Sequence, residues 1–396
     1  MARPVVIAGV GVVPFRKPGS SDTYDIMGAN AARAALADAG IDYDQVGQAY
    51  AAFVHADSCA GQAALYHVGM TGIPVMNVNN MCASGSSAFY LAAQAVSGGA
   101  VDCALAVGFE EMARGAIERS FPQKASPLDR HVRALTGLFD ITDEELRLPE
   151  AVLLFALQAE VLTKFYGVTE EALALVAVKA RRHAANNPIA LYREPLTVEQ
   201  ILAQPTLYRG LRKLYACPPT SGAASAIVCS EAFAKAHGVN TGVRLLAAAA
   251  ISDRAEYFSG EPIDIAFRAL GGNAARQAYE QAALGPDDID VIELHDCFVS
   301  NEIIAYNALG LCPIEDLDRF VRDGENTYGG KVVVCPSGGL LSKGHPLGAT
   351  GLAQIAELTW QLRGQAGARQ VEGARTALQQ NVGMGSASFV HILQAD

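Results

Sequence analysis

The chain has 396 residues, of which 51% are hydrophobic and 18% charged, enough apolar material for a large buried core and two or three domain-sized units. A net charge of -11 argues against broad nucleic-acid binding, which needs phosphate-neutralising Lys and Arg, but leaves room for an anionic cofactor at a local basic patch. Eight cysteines without a CxxC pair, no secretory leader and no apolar run of the ~18 residues that span a bilayer argue against a disulfide framework or a membrane span, and point to the reduced cytoplasm.

In chain order, Val5 to Val13 reads as a first strand, and a helix from Asp25 to Ala39 stops at Gly40. Val46 to Val54 and Pro74 to Asn79 read as the next strands. A small-residue helix from Ala83 to Val96 closes at Gly98-Gly99, and Val101 to Val107 is short enough to be a buried strand. Residues 114–215 are richer in charge and helix pattern, with helices over Pro149 to Phe165 and Thr169 to Ala185 and a break at Asn186-Asn187-Pro188. This region reads as an insertion that caps the site. Strands Ser225 to Ser230 and Ser388 to Leu393 close two halves, 1–235 and 236–396. The alternation predicts an α/β protein with buried sheets. Gly28-Ala-Asn30-Ala-Ala-Arg33 recurs as Gly271-Gly-Asn273-Ala-Ala-Arg276, a shift of 271 − 28 = 243, which points to a duplicated half.

Four clusters carry groups suited to chemistry. Asn79-Asn80-Met81-Cys82-Ala83-Ser84-Gly85-Ser86 lies where a strand gives way to a helix. A Cys there faces unpaired backbone N–H groups and the positive end of the helix dipole, which favour the thiolate; a buried structural Cys is the alternative. The run from Gly338 to Gly351 sets His345 in a glycine-rich turn, where a neutral imidazole takes a proton from a thiol. A purely structural turn or a phosphate loop is the alternative, although the spacing of a nucleotide loop is absent around Lys343. Val291 to Phe298 delivers His295, Asp296 and Cys297 from an apolar strand; read as extended, it puts His295 and Cys297 on one face. Acid/base or oxyanion work fits that pattern better than a closed zinc site. Asn381-Val382-Gly383-Met384-Gly385-Ser386 is a turn whose N–H groups approach a reacting carbonyl.

Together these motifs resemble the thiolase superfamily, and most of all its sterol-carrier-protein thiolase branch, which includes nonspecific lipid-transfer and acetyl-CoA acyltransferase proteins. The resemblance covers nearly the whole chain. It is densest from Asp290 to Gly385, where HDCF, NTYGGK, PSGGLLSKGHPLGATGLAQ and the terminal glycine turn follow in family order. It implies a five-layered αβαβα fold of two similar halves with an inserted loop region, and a homodimer formed through Pro74 to Asn79. It also implies an acyltransferase of β-oxidation type that cleaves 3-ketoacyl-CoA with coenzyme A, or runs the reverse Claisen condensation. In that scheme Cys82 is the nucleophile, His345 the base, His295 the stabiliser of the enolate and Cys297 the acid/base. The backbone of Cys82 and Val382, with Gly383 beside it, forms the second oxyanion hole. Coenzyme A is a co-substrate and not a resident cofactor, and no metal is expected. Its phosphates are expected near Lys179, Arg181 and Arg182, since anions favour Lys and Arg in an acidic protein.

Three positions depart from the family pattern. Gln380 stands where most thiolases carry a second catalytic Cys and this branch carries His. Cys335 stands where Asn precedes the Pro-Ser-Gly-Gly run, and Ser221-Gly222 lacks an intervening Asp. Two other readings compete: a steroid side-chain retro-aldolase relative, which tends to lose the nucleophilic Cys, and an acyl-CoA or lipid-binding protein that kept the fold. The chain ends where the thiolase unit ends, so no fused sterol-carrier domain is expected.

Overall fold

Small and β-branched residues fill the strands and leave almost no polar face, so both sides of the sheet must be covered. The computed structural model describes residues 3–115, 123–239 and 241–396, so part of the predicted inserted region, 116–122, lies outside the described residues. The strands are β1 (Val5–Val12), β2 (Gln48–Ala52), β3 (Val75–Val78), β4 (Cys103–Glu110), β5 (Thr206–Tyr208), β6 (Leu211–Arg212), β7 (Gly222–Ser230), β8 (Val243–Ile251), β9 (Val291–Glu293), β10 (Val333–Val334), β11 (Thr376–Gly383) and β12 (Ala387–Ala395). Ten of them follow the order β10-β9-β11-β12-β8-β1-β7-β4-β2-β3, while β5 and β6 form a separate hairpin.

The order is palindromic about the β1–β8 junction. Moving outward on one side, β1 meets β7 and β7 meets β4 antiparallel, then β4 meets β2 and β2 meets β3 parallel. On the other side β8, β12 and β11 are antiparallel, then β11, β9 and β10 run parallel. The predicted shift of 243 carries the start of β2, Gln48, onto the start of β9, Val291, and carries the helix end Ala39 onto the helix end Ala282. The repeat is therefore one of structure as well as sequence.

Helices Ser84–Ser97 and Thr350–Leu362 pack on each other and against strands of both halves. Helices Tyr24–Ala39 and Ala269–Ala282 cover the outer faces, the first on β1, β7 and β4, the second on β8 and β12. The layers run helix, sheet, helix, sheet, helix. Alanine makes this possible: Ala31, Ala32 and Ala35 are fully buried, and side chains this small let a helix lie close on a sheet.

The inserted region continues the first half in sequence but shares its core with the second. The Phe155 ring stacks on Phe298 at 4.3 Å, Ser300 Oγ donates to the Phe155 carbonyl at 3.1 Å, and Gln158 Nε2 donates to the Ala266 carbonyl at 3.1 Å. The segment 213–220 leaves the hairpin and runs directly past the ends of β9 and the His345 turn, where isolated bridges join Ala216 to Phe298 and Pro219 to His345. No described helix is long and apolar enough to cross a membrane.

Candidate active site

The nucleophile candidate sits between β3 and the central helix Ser84–Ser97. Asn80 N–H donates to Ser84 Oγ at 2.9 Å and Ser84 Oγ–H to the Met81 carbonyl at 2.6 Å, a local lock that fixes the turn around Cys82. Ala83 is the cap residue, so Cys82 lies just outside the first turn. Its side chain is 4% exposed. The Met384 N–H and the Cys82 N–H point at the sulfur and favour thiolate, but burial dominates and pushes the thiol up to about 12. Resting Cys82 is therefore a neutral thiol that needs a base, as the pairing with His345 expects.

His345 is placed to be that base. Gly344 before it has φ 118, a backbone conformation that favours glycine. Further along the same turn, a side chain on Gly348 would come within 2.5 Å of the carbonyls of Ala52 and Phe109, so only glycine lets this turn press onto the first half. Buried Glu110 ties the two together by accepting the N–H of Gly348 at 2.9 Å and of His55 at 2.8 Å. The Thr350 hydroxyl donates to the Pro346 carbonyl at 2.8 Å, which leaves its oxygen to accept from His345 Nδ1 at 2.7 Å. Nδ1 therefore carries the proton, and Nε2, which has no partner, presents its lone pair. Burial, helped by His295 and Lys343, holds the imidazole well below its ordinary pKa and so keeps it neutral.

His295 lies 5.2 Å from His345, ring centre to ring centre, and edge-on. A ring nitrogen of each, with Cys82 Sγ, falls within 4.8 Å of the others. Burial lowers His295 to about 3, while the Asn381 side chain beside it opposes the shift. Asn381 is itself fully buried with both amide atoms unpartnered. The reading of His295-Asp296-Cys297 as an extended strand is corrected. β9 stops at Glu293, and Asp296 N–H turns back onto the Leu294 carbonyl at 3.1 Å. Cys297 lies near enough to Cys82 for that thiol to help raise its own, but outside the close group of Cys82, His295 and His345; beyond it Phe298 pairs with Ala216. Asp296 points away and accepts the N–H groups of Leu340 and Leu341 at 2.8 and 3.3 Å, tying this turn to the segment that carries His345.

The oxyanion and coenzyme residues fare unequally. Val382 and Gly383 end β11 against the Cys82 turn, and a side chain on Gly383 would come within 2.1 Å of the Asn80 carbonyl. The basic trio does not form one patch. Arg182 is exposed and donates to Thr327 Oγ1 at 2.8 Å, beside a cavity of about 490 Å³. Arg181 lies over the Tyr192 ring at 4.5 Å. Lys179 is 4% exposed, paired with Glu302 and bonded to the Val334 carbonyl at 3.1 Å, so it does not reach a phosphate. Lys343 is buried too, against Glu293 at 3.3 Å, which removes the phosphate-loop alternative for this turn.

The departures acquire physical meaning. Gln380 Oε1 accepts the His295 backbone N–H at 3.0 Å, so the amide helps to position that histidine. Cys335 adopts φ 53, a left-handed conformation that Asn tolerates better than Cys, which accounts for Asn at this position in the family pattern. Ser221 Oγ accepts from Met112 N–H at 3.1 Å. Sequence reasoning missed Cys217, whose N–H donates to the Cys297 carbonyl at 2.8 Å. No motif signals it, since the pairing joins residues 80 positions apart (297 − 217 = 80).

The thiolase N-terminal domain model matches residues 5–200, and the thiolase C-terminal domain-like model matches residues 259–395. The chain belongs to the thiolase family. As a member of that family it is an acyltransferase. This thiolase is 44% identical over 391 residues to sterol carrier protein 2 of Bos taurus, covering 98% of the chain and 71% of the relative. It is 35% identical over 396 residues to an acetyl-CoA acetyltransferase of Methanothermobacter thermautotrophicus, covering 98% of the chain and 99% of the relative. Among solved structures, human mitochondrial 3-ketoacyl-CoA thiolase superposes with a TM-score of 0.73 at 19% identity, covering 100% of this chain and 99% of that one. An Ltp2-ChsH2(DUF35) aldolase superposes with a TM-score of 0.80 at 24% identity, covering 99% and 98%. At these identities the structural matches speak for the fold.

Proposed function

We propose that this thiolase cleaves 3-ketoacyl-CoA with coenzyme A, and runs the reverse Claisen condensation, through an acyl group carried on Cys82. The observation that carries the reading is the convergence of Cys82 Sγ with a ring nitrogen of His345 and of His295 inside 4.8 Å. His345 Nε2 takes the thiol proton, and the sulfur attacks the keto carbon. Backbone N–H groups of Cys82 and Val382 receive the oxyanion. The carbon–carbon bond breaks, His295 stabilises the departing enolate, and Cys297 protonates it. A second coenzyme A takes the acyl group from Cys82, which makes the scheme ping-pong and leaves no step for a metal. Of the three basic residues, Arg182 is the best placed for a coenzyme phosphate. Acyl chain length, a sterol side chain and the favoured direction are set by substrate assay: a panel of 3-ketoacyl-CoA thioesters, scored for coenzyme A-dependent cleavage, tests the reading, and no cleavage of any member contradicts it.

The acid is tested separately. Cys297→Ala retains acetylation of Cys82 by acetyl-CoA but loses exchange of the acetyl methyl protons with solvent deuterium, by about 10²-fold or more. Exchange at the parent rate assigns the proton to His295 or water. The acyl-CoA or lipid-binding alternative is favoured by Gln380, which removes one proton carrier; acetyl-Cys82 in the parent enzyme decides against it.

The protein is proposed to act as a homodimer. β3 forms one edge of the sheet, and the apolar side chains Tyr66, Met70 and Met76 near it are 55%, 77% and 41% exposed. An unpaired strand edge with exposed methionines pairs readily with its own copy. Light scattering at micromolar concentration is expected to give twice the chain mass; a monomer mass contradicts the proposal. Eight free cysteines support placement in a reducing compartment such as the cytoplasm.

A further inference from the structure

We propose that Cys217 is a second acid/base thiol of the site, passing protons to Cys297 from solvent or from the incoming coenzyme A thiol; the proposal rests on the thiolase reading above. The first support is geometric. Ala216 bridges Phe298 antiparallel, and Cys217 N–H donates to the Cys297 carbonyl at 2.8 Å. Directly opposed residues of an antiparallel pair send their side chains to the same side, with Cβ atoms about 4.5–5.5 Å apart. The two thiols are therefore neighbours.

The second support is access. Cys82 and Cys297 are 4% and 3% exposed, whereas Cys217 is partly exposed. The acid that serves the enolate has little contact with water, and its neighbour Cys217 has more. The third is protonation state. Burial raises the Cys217 thiol, with Cys82 and Asp296 adding to it. Burial raises Cys297 in the same way, with Cys217, Cys82 and Asp296 adding to it. Both therefore rest as neutral thiols, each with a proton to give. Gln380, held on the His295 backbone, leaves that task open.

The proton balance closes. As the enolate carbon forms its new C–H bond, the Cys297 S–H bond breaks and a thiolate remains. Cys217 gives its proton to that thiolate and recovers one from the coenzyme A thiol, whose sulfur then attacks acyl-Cys82. One proton enters with coenzyme A and leaves on the acetyl methyl group, and nothing is oxidised or reduced.

The test compares the parent, Cys217→Ala and Cys217→Ser in deuterium oxide with acetyl-CoA. Mass spectrometry reads acetyl-Cys82, and proton NMR reads deuterium in the acetyl methyl group. Cys217→Ala is expected to reach the same extent of acetyl-Cys82 as the parent, but more slowly, because the departing coenzyme A thiolate takes its proton back along the same path, and to incorporate deuterium at least about 10-fold more slowly. Its rate is expected to rise with imidazole concentration, as a small acid takes the place of the lost thiol, while the parent rate stays flat. Cys217→Ser keeps the packing and is expected to remain slow, because a hydroxyl is a far weaker acid. Incorporation at the parent rate, or a slow rate indifferent to imidazole, overturns the proposal and leaves Cys217 as packing. Complete absence of acetyl-Cys82 in both variants even at long incubation overturns it equally, by making Cys217 a support of the nucleophile. Failure of the parent itself to form acetyl-Cys82 removes the thiolase reading and this proposal with it.

Discussion

Cys82→Ser is expected to abolish acyl transfer, with thiolysis turnover falling by about 10⁴-fold or more while the fold stays intact. The size of the effect follows from the state of the resting pair. Burial already holds the Cys82 thiol up to about 12, and His345 is held well below the ordinary histidine range by burial, His295 and Lys343. Proton transfer between them is uphill even for a thiol and succeeds because the thiolate is polarisable and the Met384 N–H meets the sulfur. A serine hydroxyl is several units less acidic and gains no such relief, so a neutral imidazole does not activate it. The fold is spared because the turn is held by Asn80, Ser84 and Met81 backbone and side-chain bonds that do not involve the sulfur. Turnover of the pure variant, measured beside its circular dichroism and melting curve, checks both halves of the expectation. Near-parent turnover with a native spectrum removes Cys82 from the mechanism.

The site around Cys82 and His345 shows what a sequence discloses and what it withholds. The glycine turn of residues 338–351, the strand-to-helix step at Cys82 and the 243-residue repeat were legible because each depends on local chemistry: positive φ, small side chains, period. Helix and strand ends mostly fell within a few residues of their expected places for the same reason. β8 was not legible. Its Ala247-Ala248-Ala249-Ala250 run has the best helix propensity of any residue type, yet it lies between β12 and β1, with Ala247 and Ala249 buried in the core. Tertiary burial overrode propensity there. HDCF failed in the opposite way, because its alternation looked regular while Asp296 was needed elsewhere, to hold Leu340 and Leu341. Cys217 and Lys179 were misjudged because their partners are far off in sequence. A basic residue on an amphipathic helix reads as a solvated cation unless its counter-ion is known, and Glu302 lies 123 residues away.

Lys179→Ala is accordingly expected to destabilise the protein and not to weaken coenzyme A binding. Burial alone lowers a lysine's pKa, but Glu302, reinforced by Cys335 and Asp296, raises that of Lys179, so it stays charged in the core. Glu302 in turn accepts from the Tyr306 hydroxyl, which accepts from Asn326 Nδ2 at 2.7 Å. Removing the ammonium strands a carboxylate at 0% exposure, with Glu302 Oε2 already unpartnered. Breaking a buried pair from one side costs about 3–5 kcal/mol, whereas replacing both partners with apolar groups of similar volume is close to neutral. The loss therefore belongs to the orphaned carboxylate and not to the missing side chain. Urea midpoints for Lys179→Ala, Lys179→Met and the double variant Lys179→Met with Glu302→Leu separate the two: both single variants should unfold early, and the double variant should recover most of the difference. A single variant of parent stability that binds coenzyme A less tightly would instead return Lys179 to the phosphate site, which would require helix Glu170–Ala184 to turn this side chain out of the core.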